Sequence, residues 1–247
     1  MQFGEFIFLE VRNIAESEAL AVIPTGCTEQ QGPHLPVDFD TWLVQVVCVA
    51  AAQRAFEKYR VNALVLPALP FGPTPEHRNF GSGYIDIPQV LFEEIVTSIL
   101  NSLAEQNFRR IVVWRGCGQH MLDNVIATFN QAHFGRARAF QPGLPYAQIM
   151  HQVAPGIVGG HADSFSTSLA LHLRPQSVRV DQIPAPETQA VDWNDPQLDF
   201  ARYSTNGVIG DATRASAELG ARLWERIVET VASTFAGIAQ TSLAIQP

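Results

Sequence analysis

LAVIPTGCTEQQGPHLPVDFDTWLVQVV (residues 20–47) changes character twice. Residues 20–26 are apolar, residues 27–40 carry Gly, Pro, Glu29, His34, Asp38 and Asp40, and residues 41–59 (TWLVQVVCVAAAQRAFEKY) have the length and apolar content of a helix. A strand that discharges through a polar loop into a helix is the first half of a parallel β-α-β unit. The alternation recurs in VNALVLPALPFG (61–72) before VLFEEIVTSILNSLAEQN (90–107), and in RRIVVWRGCG (109–118) before MLDNVIATFNQAHF (121–134). A short strand near ARAFQPG (137–143) follows. The pattern predicts an α/β fold with a mostly parallel sheet and helices on both faces. At the end of the chain Leu219, Leu223, Ile227 and Val231 recur at steps of four, a stripe that a helix would lay on the sheet.

A chain of 247 residues with 47% apolar content fits one α/β domain spanning residues 1–247. Its net charge of −8 and its single lysine, Lys58, exclude the basic stripe that neutralises phosphates, so no nucleic-acid partner is expected. Three cysteines, Cys27, Cys48 and Cys117, do not make a disulfide framework and point to a reducing, cytoplasmic setting. The opening MQFGEFIFLE lacks the basic start and long apolar run of a signal peptide, and no run is long enough for a membrane helix. Residues 184–200, rich in Pro and acid, are expected to form a long surface excursion.

In open parallel sheets ligands bind beyond the carboxyl ends of the strands. Three such loops are chemically equipped: CTEQQGPHLPVDFD (27–40), PTPEHRNFGSG (73–83) and CGQHMLDN (117–124); GIVGGHADSFS (156–166) is a fourth candidate. Glu29 and Asp40 could converge on a divalent cation. The competing reading makes Asp40 the N-cap of the next helix. Cys117 and His120 offer either a zinc-ligand pair or a thiolate with an imidazole base, against a tight turn with a buried thiol and a capping histidine. His161, after two glycines, suits a general acid or base. Glu76 and His77 are adjacent, so an extended loop would turn at most one of them toward a site. His133, His151 and His172 lie in or beside helical stretches and read as surface or core residues.

The stretches IPTGCTEQQGPHLPVDFDT, LPFGPTPEHRNFGSG, RRIVVWRGCGQHMLDN, GGHADSFSTSLAL and NGVIGDATRASAELG together resemble the creatininase family of amidohydrolases, in that order and over most of the chain. The family also includes formamide deformylases and a mycofactocin-maturing peptidase. The resemblance implies a three-layer α/β/α fold, a homohexamer, and two divalent metals activating a water against an amide. By the family's motifs Glu29 and Asp40 fall on metal-ligand positions and keep their types. Gln31 stands where the family has a ligating His, Cys117 where it has a second His, and Gln119 where creatininases supply a carboxylate. One zinc site implied by the match is Glu29, Asp40 and Cys117; the other, Gln31, Asp40 and Gln119, holds two neutral amides and is expected to be lost. The resemblance makes His161 a proton-transfer or substrate-polarising residue and puts Ser166 where the family often has Glu. It gives His34 and Glu76 loop-shaping or subunit-contact roles.

Three functions compete. The first is a hydrolase of a small cyclic amide or formamide with one zinc per subunit. The second is a catalytically silent relative that binds a ligand or partner in the inherited cleft. The third is a metal-free hydrolase with Cys117 as nucleophile and His120 or His161 as base.

Overall fold

The computed structural model describes residues 1–118, 120–157, 159–187, 191–193, 195 and 197–243. Four strands, β1 (Leu20–Thr25), β2 (Ala63–Val65), β3 (Arg110–Arg115) and β4 (Arg138–Phe140), pair in the order β2-β1-β3-β4, all parallel. Every residue of β1 is buried. Helices cover both faces of the sheet, which is why the strand is apolar throughout instead of alternating.

The two faces have separate cores. Leu20, Val22, Val112 and Trp114 point to α2 (Phe39–Tyr59), α5 (Tyr146–Val153), α6 (Ser164–Leu173) and α7 (Ala217–Ala239). Ala21, Ile23, Ile111 and Val113 point to α1 (Phe8–Glu16), α3 (Gln89–Glu105) and α4 (Asp123–Ala132). Each fully buried Val, Ile or Leu contributes roughly 1.5–3 kcal/mol, so the sheet is held firmly from both sides. The stripe expected in the last helix is present: Leu219, Leu223, Ile227 and Val231 are all buried. Ser216 caps that helix, its Oγ accepting the Leu219 N–H at 3.0 Å. No helix among the described residues is long and apolar enough to cross a membrane.

One local expectation is corrected and another holds in part. Asp40 is not the N-cap of α2; Asp38 holds that position and Asp40 lies in the first turn, because the helix starts at Phe39. The described residues of the 184–200 excursion stay exposed or half-buried as expected, except at its end: Phe200 is buried, in a 3-10 turn over Phe200–Arg202, with its ring against those of His77 and His161. Residues 188–190, 194 and 196 of that stretch lie outside the described residues.

Candidate active site

The loops after β1, β2 and β3 meet beyond the carboxyl ends of the strands, as the parallel sheet requires. Register explains much of the convergence. Thr25 of β1 pairs with Arg115 of β3, so Cys27 and Cys117 occupy matched positions two residues past neighbouring strands. Neighbouring strands lie about 4.8 Å apart, which brings side chains at such positions together.

Glu29 is buried at the centre of the pocket. Its Oε2 accepts the Thr74 hydroxyl at 2.6 Å, and its Oε1 lies 3.4 Å from His77 Nε2 and 3.7 Å from His161 Nδ1. Gln31 Nε2 donates to Asp40 Oδ2 at 3.0 Å and to Glu29 Oε1 at 3.4 Å. Burial raises the pKa of Glu29, but His77 and then His161 more than offset it and hold the carboxyl well below its usual range. Burial and the negative charge of Glu29 push Asp40 well up, so a proton shared between the two rests on Asp40. Burial also pushes Glu76 up to about 7.

Gln30 sets the histidines. Its amide is oriented by the Gly32 N–H, donated to Oε1 at 2.9 Å, and by the Gly207 carbonyl, which accepts from Nε2 at 3.1 Å. The chain passes this close because residue 207 is a glycine at φ +84°; a Cβ there would lie 2.0 Å from Gln30 Oε1. With the amide so fixed, Nε2 donates to His77 Nδ1 at 3.1 Å, which places the ring's proton on Nε2, facing Glu29. The Gln30 backbone carbonyl accepts from His161 Nε2 at 2.7 Å, so the His161 lone pair is on Nδ1. Burial, then His77, lowers the pKa of His161 to about 4 and keeps it neutral. Phe200 closes this side, its ring centroid 5.0 Å from His77 and 5.2 Å from His161.

On the opposite side, His120 Nε2 lies 3.1 Å from Cys27 Sγ and Nδ1 lies 3.0 Å from Thr25 Oγ1. His120 therefore points back at the strand exits and does not cap α4, whose N-cap is Leu122. Burial lowers the pKa of His120 to about 4. The Cys27 hydrogen bond lowers the pKa of the Cys117 thiol, but burial and the carboxylates Glu29 and Asp40 outweigh it and leave the thiol pushed up to about 11. The same hydrogen bond and burial push Cys27 far above its ordinary value.

Among the described residues, three groups have ligand atoms mutually within 4.8 Å: Cys27, Cys117 and His120; Glu29, Glu76 and Cys117; Glu29, His77 and His161. Glu29, Asp40 and Cys117 do not form such a group, although Glu29 and Asp40 share the Gln31 amide. Glu76 and His77 both face the pocket, contrary to the expectation for an extended loop, because Pro75–Phe80 winds into a 3-10 helix. Glu76 lines the pocket, buried beside Glu29 and Cys117. His34 is buried as well, with Nε2 bonded to Thr167 Oγ1 at 2.7 Å. Ser166 sits in the first turn of α6, its N–H donating to Asp163 Oδ1 at 3.3 Å. Gln119 lies outside the described residues.

The donor chemistry discriminates among these groups. Gln31 Oε1, Glu76 Oε2 and His77 Nε2 are buried without a hydrogen-bond partner among the described residues, as expected where a pocket is built around a polar guest. Gln31 turns its N–H₂, which has no lone pair to ligate, to both carboxylates. His77 carries its proton on the nitrogen that faces Glu29, so the group Glu29, His77 and His161 suits proton handling better than ligation. Carboxylates and thiols at the other two groups fit a divalent cation.

Residues 7–235 match the family described as Creatininase, creatinine amidohydrolase. The chain belongs to the creatininase family. A mycofactocin precursor peptide peptidase of Mycobacterium ulcerans is 31% identical over 227 residues, covering 87% of this chain and 84% of that protein. A creatinine amidohydrolase of Pseudomonas putida is 25% identical over 249 residues, covering 93% and 94%. The solved structure called Creatininase Mn superposes with a TM-score of 0.83 at 24% identity, over 97% of this chain and 99% of that one, a likeness of fold. This creatininase-family site thus keeps its place at the strand exits while part of its side-chain chemistry differs from the pattern that the family resemblance implies. Cys27, His77, Gln30 and Thr74 take part in it without belonging to the expected site; for Cys27 the strand register was the available signal.

Proposed function

We propose that this creatininase-family protein hydrolyses a C–N bond of a small amide, either a cyclic amide or a formamide, with one zinc per subunit. The observation that carries the proposal is the ionised, buried Glu29 between a proton-donating His77 and a proton-accepting His161, beside two unpartnered buried oxygens, Gln31 Oε1 and Glu76 Oε2. Cys117 would anchor the zinc, with Glu29 and Asp40 as the ligands implied by the family resemblance and Glu76 as the nearer carboxylate. When bound, zinc supplies Lewis acidity, making water nucleophilic near neutral pH and polarising an amide. The chain's own part is proton movement. His161 Nδ1 accepts a proton from the attacking water, and His77 Nε2–H donates toward the developing charge. Cys117 stays a thiol at neutral pH, which weighs against its acting as the nucleophile without a metal.

A second reading, a silent binding protein, is favoured by one contact: Gln31 bridges Glu29 and Asp40 with a neutral donor where a cation would otherwise neutralise them. Elemental analysis of tag-free protein for zinc, manganese and iron, with a hydrolysis panel of cyclic amides, formamides and C-terminal peptides, separates the two. Turnover of a cyclic amide or formamide that is lost in Glu29→Gln supports the hydrolase. A metal-loaded protein inert on the whole panel supports the silent reading, and turnover of peptides alone moves the substrate class toward that named for the mycobacterial relatives. The family resemblance also supports a homohexamer as part of the proposal; a purely monomeric species at micromolar concentration in sedimentation would refute that part.

A further inference from the structure

We infer that Cys27, Cys117 and His120 form a Cys₂His site for one thiophilic divalent cation, zinc in the first instance, at the exits of β1 and β3. The inference deepens the hydrolase reading by replacing Glu29 and Asp40 with Cys27 and His120 around the shared ligand Cys117, and it rests on that reading only in supposing that the pocket binds a metal.

Convergence is the first ground. The three ligand atoms lie mutually within 4.8 Å, and Cys27 and His120 are fully buried with Cys117 7% exposed. The pairing of Thr25 with Arg115 makes the two cysteines equivalent in adjacent parallel strands, so their approach is imposed by the sheet and not by a mobile loop.

Preorganisation is the second. The His120 ring is pinned by Thr25 Oγ1 on Nδ1 and by Phe92, whose ring centroid lies 4.5 Å away. Its backbone carbonyl accepts from Gln141 Nε2 at 2.7 Å. Gly72 leaves the room for it: a Cβ at that position would stand 2.0 Å from His120 Nε2. The Thr25 hydroxyl oxygen can accept a hydrogen bond from Nδ1–H, which leaves the Nε2 lone pair directed at the thiols. His77 is denied this arrangement by Gln30.

Charge is the third. Two thiolates and a neutral imidazole balance a divalent cation, and both released protons go to solvent. Three protein ligands leave a fourth coordination position open, as catalytic zinc sites do. Cys117 also lies within 4.8 Å of Glu29 and Glu76, so the open side borders the carboxylates.

Cobalt(II) titrated into chelator-stripped, reduced protein tests the site by its spectrum and without any substrate. The expected result is one equivalent bound with intense near-ultraviolet sulfur-to-cobalt charge transfer, reversed by zinc. Cys27→Ser should lower that absorption by about half, because one of two thiolates is gone, while His120→Asn keeps the band and releases zinc more readily. Zinc should also slow alkylation of Cys27 and Cys117 in the wild-type protein and leave Cys48, buried in α2, unaffected. The wild-type spectrum decides even where a variant does not fold. Cobalt bound without charge transfer would overturn the inference and leave the hydrolase reading intact, with the metal on carboxylates. Failure of folded, reduced wild-type protein to take up zinc or cobalt would overturn it too; amide hydrolysis that persists in that metal-free protein would overturn the zinc-hydrolase reading as well, whereas hydrolysis restored by metal bound without charge transfer would leave that reading standing.

Discussion

Two sets of glutamates sit in this chain in opposite circumstances. Glu225 and Glu229 on α7 face Arg54, Lys58 and Tyr59 on α2. Arg54 reaches Glu225 at 2.9 Å and Glu229 at 3.2 Å, Tyr59 donates to Glu229 at 2.8 Å, and Lys58 also pairs with Glu229. The Lys58 and Tyr59 hydrogen bonds lower the pKa of Glu229 to about 2. Glu29 and Glu76, by contrast, have no Lys or Arg among their ion-pair partners in the described residues, and burial pushes Glu76 up to about 7. The α2–α7 face spends its negative charge on neighbours within the protein. The pocket answers the charge of Glu29 with histidines alone and leaves Glu76 without a cationic partner strong enough to offset burial, which is the arrangement expected of a site that takes a cation or a reacting group.

The largest difference should appear in catalysis. Glu29→Gln is expected to reduce kcat/KM on any amide turned over by the wild type by about 100-fold or more, whereas Glu229→Gln leaves it unchanged. Equal losses in both variants would erase the contrast. Next in size is the inner face of the same α7 helix. Phe235 is fully buried, with its ring centroid 5.8 Å from Trp114 in an edge-on contact. Phe235→Ala should cost about 3–5 kcal/mol in denaturant unfolding while folded molecules keep their turnover.

A third prediction concerns pH. Burial lowers the pKa of His34 from 6.5 to about 4, so the unfolded chain takes up a proton before the folded one does. The stability this group contributes is present above pH 6.5 and is lost as pH falls toward 4. The total loss is on the order of 3 kcal/mol, and His34→Asn should flatten that acid limb in unfolding curves. The smallest effect belongs to the surface: Glu229→Ala should cost less than about 1 kcal/mol, and less still at high salt. A larger loss would mean that the α2–α7 face holds the fold as firmly as the core beneath it.

The layered architecture was legible because strands buried on both faces and helices with an apolar stripe leave different periods in the sequence. The helix Phe8–Glu16 was not, since only Val11 and Ala15 of it are buried and its Phe8 and Leu9 are exposed. Glu29, Asp40, Cys117, His120 and His161 were legible as chemistry-bearing residues, through loops placed at strand ends. Which of them meet was not. That depends on the 3-10 turn that brings in both Glu76 and His77, on the inter-strand register that matches Cys27 to Cys117, and on the orientation of one glutamine amide.

Gln30 cannot titrate, yet it fixes which way hydrogen can cross the pocket. Its side chain obliges the His77 ring to offer hydrogen to Glu29, and its backbone carbonyl obliges His161 to present an empty nitrogen there. Traffic across the carboxylate is thereby one-way, from residue 77 toward residue 161. Exchanging Gln30 for an isosteric acceptor would reverse the first half of that route while setting an oxygen against the Gly207 carbonyl.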